Sequence, residues 1–432
     1  MSLFGALNTA ISGLTAQSSA FSNISDNVAN SQTVGYKQVD TSFTDYLTTS
    51  TASVNDSGSV VALPAYANNV QGTITQSTNT TALAISGQGF FAVSQQNGTV
   101  AGQPTFSQQQ NYTRTGDFHM DTNGYLVNSA GGFLNGWTVN PATGIANQNS
   151  IAPIQVTQTS FSPVATSTVT LAANLPATPA AMTPISSQID VYDSLGTMHT
   201  VSLNWTQNSA GNWTVAVNSP GDIVNPAVGS ADVTFGTNAM PAGTIGDITA
   251  PTGSVTTPGY SAGGAATLGF VTDFGQGPQT IQLNLGTYGQ TNGVTQYAGT
   301  AYTLGSLTQN GVPPGSFSAV SMQPNGNVVV NYNNGQSRTI AQVPVITFND
   351  PNGLQSQNGQ AYTATAASGT PTADQANTNG AGSLVTSSVE ASNVDIATEF
   401  SKLIVAQQAY SANAKMVTTA NQMLQTTIDM KQ

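Results

Sequence analysis

Few residues in this chain could do chemistry, and each sits where the chemistry lacks support. Gly259-Tyr260-Ser261-Ala262-Gly263 has the G-x-S-x-G spacing of a nucleophile elbow, in which a sharp strand-to-helix turn presents a serine to a histidine base. The preceding PTGSVTTP is no strand core and the following GAATLGF is no helix. Both histidines, His119 and His199, precede Ser261, against the Ser, acid, His order of that fold. A triad is defined by geometry rather than order, so order counts against a hydrolase without excluding one.

Asp190 and Asp193 could pair as general acid and base. Asp193-Ser194-Leu195-Gly196 reads instead as a turn whose Asp caps its own backbone. The two histidines are far apart in sequence and have no close Asp/Glu cluster at ligand spacing, so no metal site is expected, and strand or surface positions account for them. Gly87-Gln88-Gly89 lacks the third glycine and the following helix of a phosphate loop, so no cofactor is expected. The N-x-[ST] triplets at Asn79 and Asn212 are expected by chance in a chain so rich in those residues. No catalytic, cofactor-binding or metal residue is assigned, and the chain reads as a non-enzyme.

The composition points the same way. Eighteen acidic against six basic residues give a net charge of -12, which opposes the phosphate contacts that nucleic-acid binding needs. Charged residues are only 6% of the chain, so self-repulsion cannot hold it open, and its polar surface must be Asn, Gln, Ser and Thr. With no cysteine, disulfides and thiolate sites are excluded. No run of about 18 apolar residues is present to span a membrane. No Lys or Arg precedes Lys37 and the early apolar residues form a stripe rather than a block, so no secretory signal is expected.

The elements that must position any function lie at the two ends. Phe4, Leu7, Ile11, Leu14, Phe21 and Val28 recur at three-and-four spacing, the a/d stripe of an amphipathic helix. Ile396, Phe400, Leu403, Tyr410, Val417, Leu424 and Ile428 form a second stripe. Gly5 and Gly13 each cost the first helix about 1 kcal/mol, so it is expected to fray alone. From periodicity, packing within the chain and packing between chains are equally available. The weak helices and polar seam positions favour partners that complete the seam.

Between the ends the pattern changes to strands and tight turns. Asn97-Gly98, Asn123-Gly124 and Asn334-Gly335 read as hairpin turns. Val201, Leu203 and Trp205 alternate, and Trp213, Val215 and Val217 answer them across Ala210-Gly211-Asn212, the signature of a sheet with one buried face. Residues 218–265 read as long loops. Ser392 and Asp395 suggest a capped start for the second helix.

The expected fold is therefore mainly β with terminal α-helices, which pair as a coiled coil and are followed by nested antiparallel β domains. The expected layout is a terminal helical domain at 1–30 and 388–432, extended connectors at 31–72 and 364–387, an inner β domain at 73–150 and 291–363, and an outer β domain inserted at 151–290.

Three stretches carry a resemblance. Asn27-Val28-Ala29-Asn30 with Thr33, Gly35, Tyr36 and Lys37 resembles the N-terminal signature of bacterial flagellar rod and hook proteins. LAISGQGFF (83–91) resembles the opening of their first β domain, and VEASNVDIATEFSKLIVAQQAYSANAKMV (389–417) their C-terminal helix. YDSLGTMHTVSLNW (192–205) is similar to the outer domain of the members that form the hook.

The resemblance implies a subunit exported without a cleavable signal through the flagellar type III apparatus. It would polymerise under a hook cap protein into an extracellular helical tube that joins the distal rod protein to the hook-filament junction protein. It further implies that this tube is a universal joint for torque, with the terminal stripes as polymerisation helices. A distal rod or junction protein of the same family, and a β-rich surface adhesin from another class, are the alternatives.

Overall fold

The computed structural model describes residues 3–50, 55–141, 143–179 and 184–430. It is mainly β, with one long helix near each end: α1 spans Leu3–Ala29 and α2 spans Ile396–Asp429. The chain divides into two compact units. One comprises Met1–Gln158, Ser318–Asn331 and Ser337–Gln432, and the other Thr159–Phe317 and Tyr332–Gln336.

In the first unit, α1 and α2 lie side by side and antiparallel. Phe21 meets Tyr410 edge-on at 6.2 Å between ring centroids, while Asn27, further along α1, reaches Glu399, further back along α2. Small side chains make this approach close. Ala10, Ala16 and Ala20 of α1 and Ala406 and Ala420 of α2 are buried, and a Cβ on Gly13 would lie 3.0 Å from the Asn413 amide. The cap of α2 is Asp395, whose side chain accepts from Thr398 N, and not Ser392.

The expected connectors are structured. Residues Val39–Ser50 (β1) and Asn55–Tyr66 (β2) pair as an antiparallel hairpin against α1, where Asn23 bonds Thr41 and Ser12 accepts from Val60 N. The Ser/Thr content that reads as a linker belongs to a two-stranded ribbon with one side on a helix and the other side wet. In the second connector, Thr372–Asp374 pairs with Val345–Thr347, and Ser383–Thr386 pairs with Leu83–Ser86.

The main sheet of this unit runs in the order Phe317–Met322, Asn327–Tyr332, Ser337–Gln342, Gly132–Val139, Phe91–Val100, Asn111–Thr113, Ala361–Thr363, Gln355–Gln357. Segments more than 200 residues apart thus share one sheet, with Phe90, Tyr112, Ile346, Leu354 and Tyr362 among its core. Asn123-Gly124 turns as expected, with Gly124 at φ +83°. Asn97-Gly98 does not. The strand continues through it with a register shift between Gln96 and Gly98, and the turn falls at Ala101 and Gly102, both at positive φ.

The second unit holds two five-stranded sheets around one core. One is an antiparallel meander of Ile185–Tyr192, Met198–Ser209, Asn212–Asn218, Gly229–Phe235 and Ile245–Thr249. Val201, Leu203, Trp205, Trp213, Val215 and Val217 face inward, as their alternation requires. Residues 218–265 are not all loop. Ala231, Val233 and Phe235 alternate inward on a fourth strand, a pattern diluted by Ser, Asp and Thr between them.

The other sheet places Thr168–Pro176 parallel to both Pro278–Thr287 and Val294–Tyr297, and antiparallel to Thr303–Gln309. These pairings put 291–317 in the second unit. Residues 151–153, which pair with 135–137, fall in the first.

Candidate functional site

The N-terminal motif turns Asn27, Gly35 and Lys37 inward and leaves Asn30, Thr33 and Tyr36 half-buried. It builds a buried polar node that ties α1, α2 and the first β block together. Asn27, at the last turn of α1, is fully buried with its amide saturated. It donates to Val39 O (3.0 Å) and Glu399 Oε2 (2.9 Å), and it accepts from Val39 N (3.0 Å) and Tyr36 OH (3.1 Å). Its side chain thus treats Val39 as a neighbouring strand would. Asn30 closes the helix by donating to Asp26 O, and Thr33 hydroxyl donates to Asn30.

Gly35 has φ +71° and its N–H donates to Glu390 O at 2.7 Å. A Cβ there would lie 2.6 Å from Thr115 N, so only glycine fits both the turn and the approach. Lys37 is buried. Its ammonium donates to Glu390 Oε1 (2.5 Å) and Val70 O (2.6 Å).

Glu390 is the centre of the node. Its carboxylate also accepts from Arg114 Nη1 (3.0 Å) and Gly72 N (2.8 Å), so it joins four distant segments. Arg114 also donates to Ile85 O and Gly87 O and lies over the Phe90 ring at 5.3 Å, with its Nε buried and unpaired. Burial lowers the Lys37 pKa. Glu390 opposes that shift and the Arg114 charge adds to it. Burial also lowers the Arg114 pKa, against the pull of Glu390. Tyr36 is pushed up to about 12 by burial and by the charges of Asp26 and Glu399.

A second layer lies beside it. Gln38 donates to Glu399 Oε1 and Asp40 Oδ1, each at 3.0 Å, and its N–H reaches Asn393 Oδ1 at 2.7 Å. Lys402 bridges Asp40 and Glu399. Burial lowers its pKa, but the two carboxylates outweigh that and raise it.

Sequence reasoning found the motif but not Arg114, Glu390 or Glu399 as its partners. The signal was scarcity. In a chain with six bases, any base inside a β block must have an acid to meet.

The helix seams are divided. Leu7, Leu14, Phe21, Val28, Leu403, Val417 and Leu424 are half-buried, whereas Phe4, Ile11, Ile396, Phe400, Tyr410 and Ile428 are exposed. Phe4 is 69% exposed, Phe400 52% and Ile428 61%. The close contact between helices is taken by alanines, so much of the apolar stripe has no cover within the chain.

The chemical candidates resolve as structural groups. Ser261 lies in an exposed turn before the strand at 265–273. Asp193 accepts from Leu195 N and Thr197 N, the turn its sequence suggests, and holds His199 at 3.1 Å. His199 stacks on Phe274 at 3.9 Å and is only partly exposed, while His119 is exposed. Among the described residues no three His, Cys, Asp or Glu are grouped to hold a metal, and no helix is long and apolar enough to cross a membrane.

The antiparallel terminal helices are held to a β unit by buried ion pairs with their apolar seams left open, and the family models that the chain matches make it a structural subunit of the flagellar class. Its parts match that class in order. Residues 7–37 match the flagella basal body rod protein family, 84–172 the D1 domain of flagellar hook protein FlgE/F/G, 162–312 the D2 domain of flagellar basal body protein FlaE, and 385–430 the C-terminal region of flagellar basal body rod FlgEFG protein.

Over the full length of both chains, the sequence is 31% identical to the flagellar hook protein FlgE of Brucella suis. It is 30% identical to that of Escherichia coli, over 99% of this chain and 100% of the other, and 29% identical to that of Salmonella typhimurium, over 98% and 99%. The chain belongs to the flagellar hook protein family.

Proposed function

We propose that this chain is the structural subunit of the flagellar hook, polymerising with its own copies into a flexible extracellular tube that carries torque from rod to filament. The observation that carries the reading is the open seam: Phe4, Ile11, Ile396, Phe400 and Ile428 are exposed, while buried alanines and the Phe21–Tyr410 pair make the contact between the helices. An apolar stripe of that length on a weak helix is stabilised when neighbours cover it. All the seam positions, the half-buried ones included, act as polymerisation residues in this account, and Asn27, Asn30, Thr33, Gly35, Tyr36 and Lys37 fix the helices to the β unit.

The two units act as inner and outer domains. The second carries aspartates but no Lys or Arg, so copies of it cannot lock together by Lys or Arg ion pairs, and their contacts are left to polar and apolar groups that can slide as the tube bends. The subunit is exported through the type III apparatus and assembles under the cap protein, between the distal rod and junction proteins.

Electron microscopy of the concentrated protein tests the reading. Curved tubes are expected. Straight short tubes would favour a rod protein, and monomers at every concentration would contradict polymerisation.

A further inference from the structure

Ten asparagines of this chain precede a glycine. In that pair the backbone can react with the side chain before it: the glycine nitrogen attacks the asparagine Cγ and the amide leaves as ammonia. Water then opens the five-membered imide to aspartate or isoaspartate, so the net exchange is one amide and one water for one acid and one ammonia. Glycine permits the approach because it has no Cβ to obstruct it. Two structural conditions follow. The carboxamide must be free to turn onto the next peptide, and the glycine N–H must not be held by an acceptor.

Nine of the ten pairs fail at least one condition. Asn135 is buried and donates to Ser94 Oγ, and Asn379 is held by Asp374 at 2.7 Å. The Asn97 carboxamide accepts from Thr105 Oγ1, that of Asn292 from Thr287 N, and that of Asn310 from Ser167 N and Thr168 N. Asn123 has a free side chain, but Gly124 N–H donates to Asp121 O. At Asn325, Asn334 and Asn352 both groups are held: each carboxamide oxygen accepts a backbone N–H, and Gly326, Gly335 and Gly353 donate to carbonyls three residues back.

Asn358 meets both conditions. It is exposed, and among the described residues none bonds its carboxamide or the Gly359 N–H. It opens the link of residues 358–360 between strands Gln355–Gln357 and Ala361–Thr363, in which Gly359 and Gln360 follow at φ +77° and +52°. A bend built from positive φ leaves the Gly359 nitrogen outside the ladder on either side.

We propose that Asn358 is a site of spontaneous deamidation, selected by the fold from ten pairs of the same sequence. The product adds a negative charge to a chain already at -12, and in its isoaspartyl form it lengthens the backbone of a tight hairpin by one carbon. The reaction needs only water and belongs to the single chain, so it stands apart from polymerisation.

The full chain is incubated folded and, in parallel, in guanidinium chloride. Peptides are followed by mass spectrometry for exchange of amide to acid; chymotrypsin releases Asn358 between Leu354 and Tyr362 with no second asparagine. In the folded chain, acid at Asn358 is expected to accumulate several-fold faster than at any other Asn-Gly pair, and faster as pH rises, because the attacking nitrogen must lose its proton. In denaturant the ten rates should converge. Asn358→Gln should remove the main acidic species on ion exchange and leave the thermal melt unchanged. A folded rate at Asn358 no greater than at the other pairs would overturn the proposal. A lead of the same size in denaturant would overturn it too, since neighbouring residues and not the fold would then select the site.

Discussion

Asn27 and Glu399 are separated by 372 residues of chain and by 2.9 Å of space. That one bond joins the end of the first helix to the start of the second, so the termini are one element built from two ends. Around it, Glu390 draws Lys37 and Arg114 into a buried triad that fixes the helix pair to the β block.

Substituting Glu390→Gln leaves two buried cations sharing one neutral amide. Breaking a buried ion pair from one side costs about 3–5 kcal/mol. The first unit should lose about that much in denaturant unfolding, while the second unit, followed through Trp205 and Trp213, should keep its midpoint. A loss under about 1 kcal/mol, the range of an exposed pair, would contradict the burial.

Gly35→Ala combines a positive φ with a backbone collision at Thr115, whereas Gly102→Ala meets the φ cost with nothing within 4 Å. The left-handed region costs an alanine about 1–2 kcal/mol. Gly102→Ala should lose that amount and Gly35→Ala clearly more, read as the difference in unfolding midpoints. Equal losses would remove the close approach as a cause.

Acid should weaken the second unit through Asp193. Burial alone would raise its carboxyl pKa, but the His199 bond and the Thr197 and Leu195 N–H groups outweigh burial and hold it below the usual value of 3.8. A carboxyl lowered in the fold binds protons more readily when unfolded. Its contribution is therefore complete above pH 3.8 and is lost as pH falls through the folded value. Asp193→Asn should flatten that slope below pH 4 in a pH series of thermal melts. An unchanged slope would assign the acid sensitivity to other groups.

Ile11→Ser and Phe400→Ser remove exposed seam residues. Substitutions at exposed sites usually shift stability by less than about 0.5 kcal/mol. The monomer should melt as before, yet the concentration needed for tube formation, measured by sedimentation, should rise several-fold. Destabilisation of the monomer by more than about 2 kcal/mol would mean the seam is packed within the chain.

How much of this was legible followed from how local each signal is. The helix stripes and the Trp205/Trp213 hairpin were readable because period and turn lie within one short window. The boundary near residue 317 was not, because it depends on Val294–Tyr297 lying parallel to Ala173–Pro176, a pairing no local pattern encodes. Expecting the connector at 31–72 overlooked that α1 gives a polar ribbon something to pack on. The motif residues were recognised while their partner Glu390 was not, since an acid in a chain of eighteen carries little signal until the base opposite it is seen.

The central claim is that neighbouring copies cover seams the single chain leaves open. Hydrogen exchange across α1 and α2, compared between dilute monomer and assembled tubes, tests it most directly. Slow exchange through both helices only after assembly, with the β units protected in both states, is the predicted result. Equal protection of the helices in monomer and tube would contradict the account.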